Sequence, residues 1–362
     1  MAHRIWNFNA GPATLPLPVL EKIKADLPNY NNTGMAFMEL SHRSKPYDEV
    51  HVAAKSLARE LWNIPESHHI LFLQGGASTQ FAMLPMNLLR EGQKADYINT
   101  GTWSKKAIKE AKLFGEVNIA ASAEDEKFTY VPTQAELKLS GDAEYVHMTT
   151  NNTIAGTQFH YTPETGKVPL IADMSSDIMS RPLDISKFGM IYAGAQKNLG
   201  PSGVTMVIIK DELVAKCKEN NPTMLKYATH VDKDSLFNTI PTYSIYILKL
   251  VLEHMKAIGG VTAIEKENLA KGETLYGAFD TMSDFYRCPV REDSRSLMNV
   301  VFRLPNEDLE KQFIAEAAEA GLGGLKGHRS VGGIRASTYN AMPLEGVKAL
   351  TEFMKGFAAK NG

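Results

Sequence analysis

The regular alternation of short apolar runs with amphipathic segments constrains the fold of this chain more than any other feature. Residues 69–73, 95–99 and 145–149 are apolar runs with the length of buried strands. Residues 51–62 instead space their apolar side chains as an amphipathic helix does. This alternation predicts an α/β domain with a mostly parallel sheet. Functional residues are expected at the carboxyl ends of the strands, because ligands of such sheets bind there.

The same patterns predict further elements and a division into two domains. The further strands are residues 168–172, 190–193, 204–209 and 298–304, and the further helices are residues 17–27, 80–89, 102–113, 242–258, 265–282 and 306–320. We expect an N-terminal arm over residues 1–15, a large domain over 16–260 and a smaller C-terminal domain over 261–362.

Composition argues against several classes of protein. The 362 residues are 44% hydrophobic and 22% charged, which is typical of a globular enzyme. A formal net charge of -2 gives no reason to expect nucleic acid or an acidic membrane surface as a partner. Two cysteines are too few for a disulfide framework, and the first residues lack the apolar core of a signal peptide. We therefore expect a cytoplasmic protein with no membrane and no nucleic-acid partner.

Lys197 lies in a glycine-rich link between two predicted strands, 190–193 and 204–209. Burial beside these strands lowers the pKa of a lysine and leaves a nucleophilic neutral amine. For a lysine alone, a surface loop beside a glycine turn is the simpler interpretation. Asp173, however, directly follows the predicted strand 168–172. An acid at a strand end followed by a lysine after the next strand is typical of a pyridoxal phosphate site, where the acid keeps the pyridine nitrogen protonated and the lysine carries the aldehyde.

Three other features fit a cofactor site, each with an ordinary structural alternative. Residues 74–79 pass from a strand through two glycines to hydroxyl residues at a helix start, which favours a phosphate but also fits a capped turn. The flat face of Trp103 could stack on a cofactor ring, although a core position is the simpler interpretation of this tryptophan taken alone. Thr153 follows a strand and could bind the ring's phenolic oxygen, or be a polar loop residue.

Two His-Arg pairs, His42-Arg43 and His328-Arg329, together with Arg335, indicate anionic substrates. Arginine binds carboxylate and phosphate through a bidentate fork, and charged histidine adds a further donor. Either pair alone fits a solvated basic loop. Their combination in one chain favours small substrates with two anionic groups.

Stretches spread over nearly the whole chain resemble the phosphoserine aminotransferase family, whose members are fold-type I pyridoxal phosphate enzymes. These stretches read FNAGPATLP, MELSHRS, GGASTQF, GTWSKKAIKEA, ADMSSDIMSRP, YAGAQKNLGPSGV, FNTIPT and LKGHRSVGGIRASTYNAMP. The resemblance implies a large domain with a mostly parallel seven-stranded sheet between helices, plus a smaller C-terminal α/β domain. It also implies a homodimer with shared active sites.

The resemblance assigns a role to each matching residue. The implied cofactor residues are Lys197 in the Schiff base, Asp173 at the pyridine nitrogen, Trp103 on the ring, Thr153 at the phenolic oxygen, and Ala77, Ser78 and Gln196 at the phosphate, with Asn238 and Thr239 reaching the phosphate from the other subunit. The implied substrate residues are His42, Arg43, Arg335 and, from the other subunit, His328 and Arg329. The pattern departs from some family members at Ser78, where those members have an arginine.

The implied reaction converts 3-phosphohydroxypyruvate and L-glutamate to O-phospho-L-serine and 2-oxoglutarate in serine biosynthesis. A related family activity acts on 4-phosphohydroxy-L-threonine in pyridoxine biosynthesis. The alternatives are a cysteine desulfurase or another small-substrate aminotransferase of the same fold. A desulfurase needs a mobile cysteine, yet neither Cys217 nor Cys288 lies in a glycine-rich loop beside the site motifs. No metal-binding motif such as HExxH is present.

Overall fold

The computed structural model describes residues 4–362, so the first three residues of the predicted arm lie outside it. The α-helices among these residues are α1 (Leu17–Asp26), α2 (Lys45–Trp62), α3 (Gly76–Leu88), α4 (Thr102–Ala111), α5 (Asp211–Lys216), α6 (Tyr227–Asp232), α7 (Thr242–Ala257), α8 (Gly260–Thr281), α9 (Glu307–Glu319) and α10 (Leu344–Asn361). The strands are β1 (Trp6–Asn7), β2 (His68–Leu73), β3 (Lys94–Asn99), β4 (Glu116–Ser122), β5 (Val146–Thr149), β6 (Asn151–Asn152), β7 (Thr157–Gln158), β8 (Leu170–Asp173), β9 (Phe188–Gly194), β10 (Thr205–Lys210), β11 (Asn299–Phe302), β12 (Leu322–Gly323) and β13 (Ile334–Ser337).

A seven-stranded sheet in the order β2-β10-β9-β8-β5-β3-β4 forms the centre of the protein. Neighbouring strands from β9 to β4 run parallel, whereas β10 is antiparallel to both β9 and β2. The link 195–204 between β9 and β10 contains no crossover helix, and a short link of this kind returns the chain in the opposite direction. The predicted mostly parallel sheet is confirmed, and β10 is its antiparallel member.

Helices cover both faces of this sheet. Along β2, Ile70 and Phe72 belong to the core under α2 and α7, whereas Leu71 and Leu73 belong to the core under α3. Alternate residues of a strand point to opposite faces, so one strand contributes to two cores. Strands β8 and β9 are buried along their whole length, as parallel strands covered on both faces are.

A third core lies in the C-terminal part of the chain. It is formed by apolar side chains of α8, α9, α10, β11 and β13, and Phe8 from the arm packs into it. Strand β11 pairs with β13 antiparallel, and β1 of the arm pairs with β12. The predicted division near residue 260 stays a prediction.

The structure differs from the predicted elements at several ends. Helix α2 begins at Lys45 rather than at residue 51, because Pro46 lies in its first turn, where proline is tolerated. Helix α8 begins at Gly260, directly after the αL residue Gly259, so the two glycines end one helix and start the next. Strand β4 and helix α10 were not predicted. No helix among residues 4–362 is long and apolar enough to cross a membrane.

Candidate active site

Polar residues that follow the sheet strands meet around a cavity of about 200 Å³. The cavity is lined by Gly75, Gly76, Ala77, Ser78, Trp103, Thr149, Asn151, Thr153, Asp173, Ser175, Ser176, Gln196 and Lys197. These residues come from the carboxyl ends of β2, β3, β5, β8 and β9 or from the segments that follow them. Every cofactor residue predicted within one subunit therefore lines this cavity.

Lys197 follows β9, and its ammonium group lies within the cavity wall. Its Nζ donates a hydrogen bond to Thr153 Oγ1 at 2.6 Å. Burial lowers the pKa of Lys197 from 10.5 to about 8, and the nearby Asp173 carboxylate only partly opposes this shift. The lowered pKa makes the neutral, nucleophilic amine easier to form, and Thr153 orients it.

Asp173 ends β8 and is only 4% exposed. Ser175 donates to its Oδ1 twice, from the backbone N at 3.0 Å and from Oγ at 2.6 Å. Burial raises the pKa of Asp173, whereas these two hydrogen bonds and the Lys197 charge lower it. Among the described residues no donor reaches Oδ2, so this oxygen is available to a protonated ring nitrogen.

The first turn of α3 forms the other end of the cavity. Gly75 and Gly76 have φ values of 89° and 63°, and a Cβ on Gly75 would lie 1.9 Å from Thr79 Oγ1. Glycine is therefore required at position 75. Helix α3 begins at Gly76, and the first backbone N–H groups of a helix have no partner within it. With the positive end of the helix dipole, they form a site for a phosphate group.

Two polar atoms in the cavity wall are buried without a hydrogen-bond partner, Trp103 Nε1 and Thr149 Oγ1. The Trp103 ring also faces two lysine side chains, with its centroid 5.1 Å from Lys197 Nζ and 4.5 Å from Lys106 Nζ. Buried polar atoms that lack partners indicate a site built for a ligand. One cavity therefore combines a phosphate site at the start of α3, the carboxyl group of Asp173 and the amine of Lys197. This set of groups fits pyridoxal phosphate.

Of the predicted substrate residues, Arg335 lies beside this cavity. Its Nη1 donates to the Thr153 backbone oxygen at 3.2 Å, and its Nε is buried without a partner. Burial lowers the pKa of His328, and the positive charges of Arg335, Arg329 and Lys106 lower it further. His328 does not line the cavity of its own subunit.

The remaining predicted residues lie outside the cavity. His42 and Arg43 contact each other, with Arg43 Nε 3.3 Å from His42 Nε2, on the segment before α2. Asn238 donates from Nδ2 to Gln74 Oε1 at 3.4 Å, and Gln74 Nε2 donates to the Thr239 backbone oxygen at 3.3 Å. Asn238 and Thr239 therefore lie next to the glycine turn of their own subunit.

The sequence reasoning missed five residues near the site. They are Lys106, Thr149, Asn151, Ser175 and Ser176. Ser175 and Ser176 directly follow the acid at the end of β8, and this hydroxyl pair is the signal that could have identified them. Asn151 donates from Nδ2 to Ser176 Oγ and to Asn299 Oδ1, both at 2.8 Å, which connects the cavity to β11. Among residues 4–362 no group of His, Cys, Asp and Glu is arranged to hold a metal ion.

Comparisons with known proteins give one consistent family. The model of the class-V aminotransferases matches residues 5–350. A phosphoserine aminotransferase from Lysinibacillus sphaericus is 55% identical over 361 residues, covering all of both chains. The solved phosphoserine aminotransferase from Bacillus circulans subsp. alkalophilus is 51% identical, with a TM-score of 0.98 over all of both chains. A PLP-bound phosphoserine aminotransferase from Trichomonas vaginalis is 38% identical, with a TM-score of 0.92 over 97% of this chain and 100% of that one.

Proposed function

Because the chain belongs to the class-V aminotransferases and, among them, to the phosphoserine aminotransferase family, we propose that it transfers the amino group of L-glutamate to 3-phosphohydroxypyruvate. The products are O-phospho-L-serine and 2-oxoglutarate, and the cofactor is pyridoxal phosphate. The observation that carries this function is the single cavity that joins Lys197, Asp173 and the N-terminus of α3. The resemblance seen in the sequence is confirmed, as is the fold-type I architecture.

The cavity provides a group for each part of the cofactor. The backbone N–H groups at Ala77 and Ser78, with Gln196, would hold the phosphate, and Asp173 would hold the ring nitrogen. Trp103 would lie against the ring, and Thr153 would face the phenolic oxygen. When bound, pyridoxal phosphate supplies an aldehyde that condenses with amines and a ring that accepts electrons from the substrate Cα.

Lys197 moves the proton in this reaction. With its pKa lowered to about 8, the neutral Nζ would take the proton from the substrate Cα and deliver it to the carbon of the cofactor's former aldehyde group, and the reverse half-reaction would move the proton the other way. Thr153 Oγ1 holds Nζ in place through the 2.6 Å hydrogen bond. The two donors from Ser175 favour the carboxylate form of Asp173 against the opposing effect of burial, and its charge would keep the ring nitrogen protonated.

The basic residues around the cavity suit two substrates that each carry a distal anion. Arg335, beside Thr153, would bind the α-carboxylate that glutamate and phosphoserine share. His42, Arg43, His328 and Arg329 would bind the distal carboxylate or phosphate. One cluster can serve both substrates in turn, as a ping-pong reaction requires.

A homodimer with shared sites completes this arrangement. Three apolar side chains near α7 are exposed, namely Met35, Met38 and Phe237. The first two lie in or beside the turn 37–39, which contacts α7, and Phe237 lies shortly before α7 in the sequence. A second copy of the chain would cover them. We place the enzyme in the cytoplasm, in serine biosynthesis, with a large domain over 16–260 and a small domain over 261–362.

A desulfurase reaction lacks its nucleophile here. Burial raises the pKa of Cys217 to about 12 and also raises that of Cys288, and neither thiol lines the cavity. The phosphorylated threonine analogue of pyridoxine biosynthesis remains a second substrate of the same chemical class, because it carries the same two anions.

Steady-state transamination with L-glutamate as donor tests the proposed function. We expect turnover of 3-phosphohydroxypyruvate and a kcat/KM at least about a hundredfold lower for hydroxypyruvate, which lacks the phosphate that the basic cluster binds. The keto acid of the phosphorylated threonine analogue, measured in parallel, gives the relative activity on the second pathway. Equal kcat/KM values with and without the phosphate group would contradict the proposal.

A further inference from the structure

The loop from Gly327 to Gly333 carries His328 and Arg329 and is built mainly on its own hydrogen bonds. Its neck is closed by Gly327 N, which donates to the Gly333 oxygen at 2.9 Å. At its tip, Val331 N and Gly332 N both donate to the His328 oxygen, at 3.0 and 2.9 Å. Arg329 and the tip are exposed. An exposed loop that is held mainly by its own hydrogen bonds needs a support to keep one conformation.

One arginine outside the loop provides this support. Arg303 Nη1 donates to the Val331 oxygen at 2.8 Å. Among the described residues, this is the one hydrogen bond that joins residues 328–332 to the rest of the chain. Arg303 itself directly follows β11, so its backbone is fixed by the sheet with β13.

A buried carboxylate holds the guanidinium of Arg303 in turn. Arg303 Nε lies 2.7 Å from Glu310 Oε1, and the Glu310 side chain is only 7% exposed. Glu310 lies on the first turn of α9, where a negative charge also interacts favourably with the helix dipole. Two ends of one planar guanidinium therefore connect a rigid helix to the loop tip.

The loop sequence is matched to this arginine. Gly332 and Gly333 have φ values of 69° and 71°. A Cβ on Gly333 would lie 2.7 Å from Arg303 Cδ and 2.9 Å from the Phe302 oxygen. Only glycine allows the loop to approach Arg303 this closely.

We propose that Arg303, held by Glu310, is a positioning residue that keeps the His328-Arg329 loop in the conformation that binds the distal anion of the substrate. Arg303 does not line the cavity and acts through the loop. Without Arg303, the loop loses its hydrogen bond to the rest of the protein. The conformational entropy lost on ordering the loop would then weaken substrate binding. The inference rests on the proposed function, which assigns this loop to the distal anion.

The test compares Arg303→Gln with the matched control Arg287→Gln. Arg287 is exposed and pairs with Arg303 through an isolated antiparallel β-bridge. Among the described residues, its side chain makes no hydrogen bond. In Arg303→Gln we expect the KM for O-phosphoserine to rise about tenfold, equivalent to about 1.4 kcal/mol. The rate with L-alanine, which has no distal anion, and the visible absorption of the bound cofactor should not change. Hydrogen exchange at the amides of Val331 and Gly332 should become faster.

Arg303→Lys and Glu310→Gln provide independent variants in case Arg303→Gln is unstable. Each variant keeps part of the series of hydrogen bonds that joins Glu310, through residue 303, to the Val331 oxygen. Each should therefore raise the KM for O-phosphoserine less than Arg303→Gln does. A KM in Arg303→Gln within about twofold of that in Arg287→Gln, or an equal loss with L-alanine, would overturn the inference. A wild-type enzyme inactive on O-phosphoserine would instead refute the proposed function, and the exchange rates would still show whether Arg303 holds the loop.

Discussion

Two lysines of this chain are buried deeply enough to have strongly lowered pKa values. Burial lowers the pKa of Lys197 to about 8 and that of Lys271 to about 7. A lowered pKa alone would therefore favour Lys271 as the nucleophile. Lys271, however, donates to the backbone oxygens of Thr338, Tyr339 and Met342 at 2.8, 2.8 and 3.0 Å, and these three acceptors favour the ammonium form, which has three donors, over the nucleophilic free amine. The surroundings of each amine, rather than its pKa, separate the chemical role from the structural one.

Asp173→Asn should fold but lose most of its activity. An amide cannot keep the ring nitrogen protonated, so the electrons from the substrate Cα are accepted less readily. We expect kcat to fall by more than about tenfold, which is about 1.4 kcal/mol of barrier, while the thermal unfolding temperature changes little. A smaller fall in kcat would show that Asp173 is not the partner of the ring nitrogen.

Arg335→Ala and Arg43→Ala should separate the two anion sites. Arg335→Ala should lower kcat/KM for L-glutamate, O-phosphoserine and L-alanine alike, on the order of a hundredfold, because all three carry the α-carboxylate. Arg43→Ala should affect only the two substrates with a distal anion. Strong dependence of the L-alanine rate on Arg43 would contradict this division.

At the scale of elements, Lys271 of α8 fixes the segment that follows β13. Its three hydrogen bonds hold residues 338–342. Within this segment, Asn340 Oδ1 accepts a hydrogen bond from Asn268 Nδ2 at 3.0 Å, and Asn340 N donates one to Asn198 Oδ1 at 2.9 Å. Asn198 is the neighbour of Lys197 in the chain. Helix α8 therefore couples the strand that carries Arg335 to the segment that carries Lys197.

Lys271→Met should destabilise the protein by about 3 kcal/mol, because the methionine fills the space but leaves the buried carbonyl groups of Thr338 and Met342 without a donor, while that of Tyr339 keeps only the Met342 N–H. Lys266→Met is the matched control, since Lys266 is exposed on the same helix, and it should change the free energy of unfolding by no more than about 0.5 kcal/mol. Denaturant unfolding measures both. Equal stability of the two variants would show that the three hydrogen bonds do not stabilise the segment.

The sequence predicted elements best where a local pattern decides them. Apolar runs located β2, β8 and β9, and residue types at their ends identified Asp173 and Lys197. The antiparallel direction of β10 could not be predicted from the sequence, because it depends on how the link 195–204 packs. Arg303 and Lys271 were missed for a related reason, since their partners lie far away in the chain and nothing in the local sequence distinguishes them from surface cations.

At the scale of the whole molecule, several anions must share one cleft. The phosphate end, Gly75 to Thr79, contains no arginine, so positive charge must come from elsewhere. In the proposed two-fold dimer, Arg329 of the neighbouring subunit would supply this charge, and His328, Asn238 and Thr239 would add hydrogen-bond donors.

Mixed dimers of Lys197→Ala with Arg329→Ala test the shared sites. Each homodimer should be nearly inactive. In the mixed dimer one site receives both defects and the other receives neither, so about half of the wild-type activity per heterodimer should return. Co-expressed heterodimers that remain as inactive as their parents would show that Arg329 serves its own subunit.

Reduction of the cofactor-loaded enzyme with borohydride, followed by digestion and mass spectrometry of the peptides, tests the central claim most directly. The account predicts that the cofactor is fixed to Lys197, and that Lys197→Ala carries no covalent cofactor and does not transaminate. Attachment to Lys271 or to any other lysine, or turnover by Lys197→Ala near the wild-type rate, would contradict it.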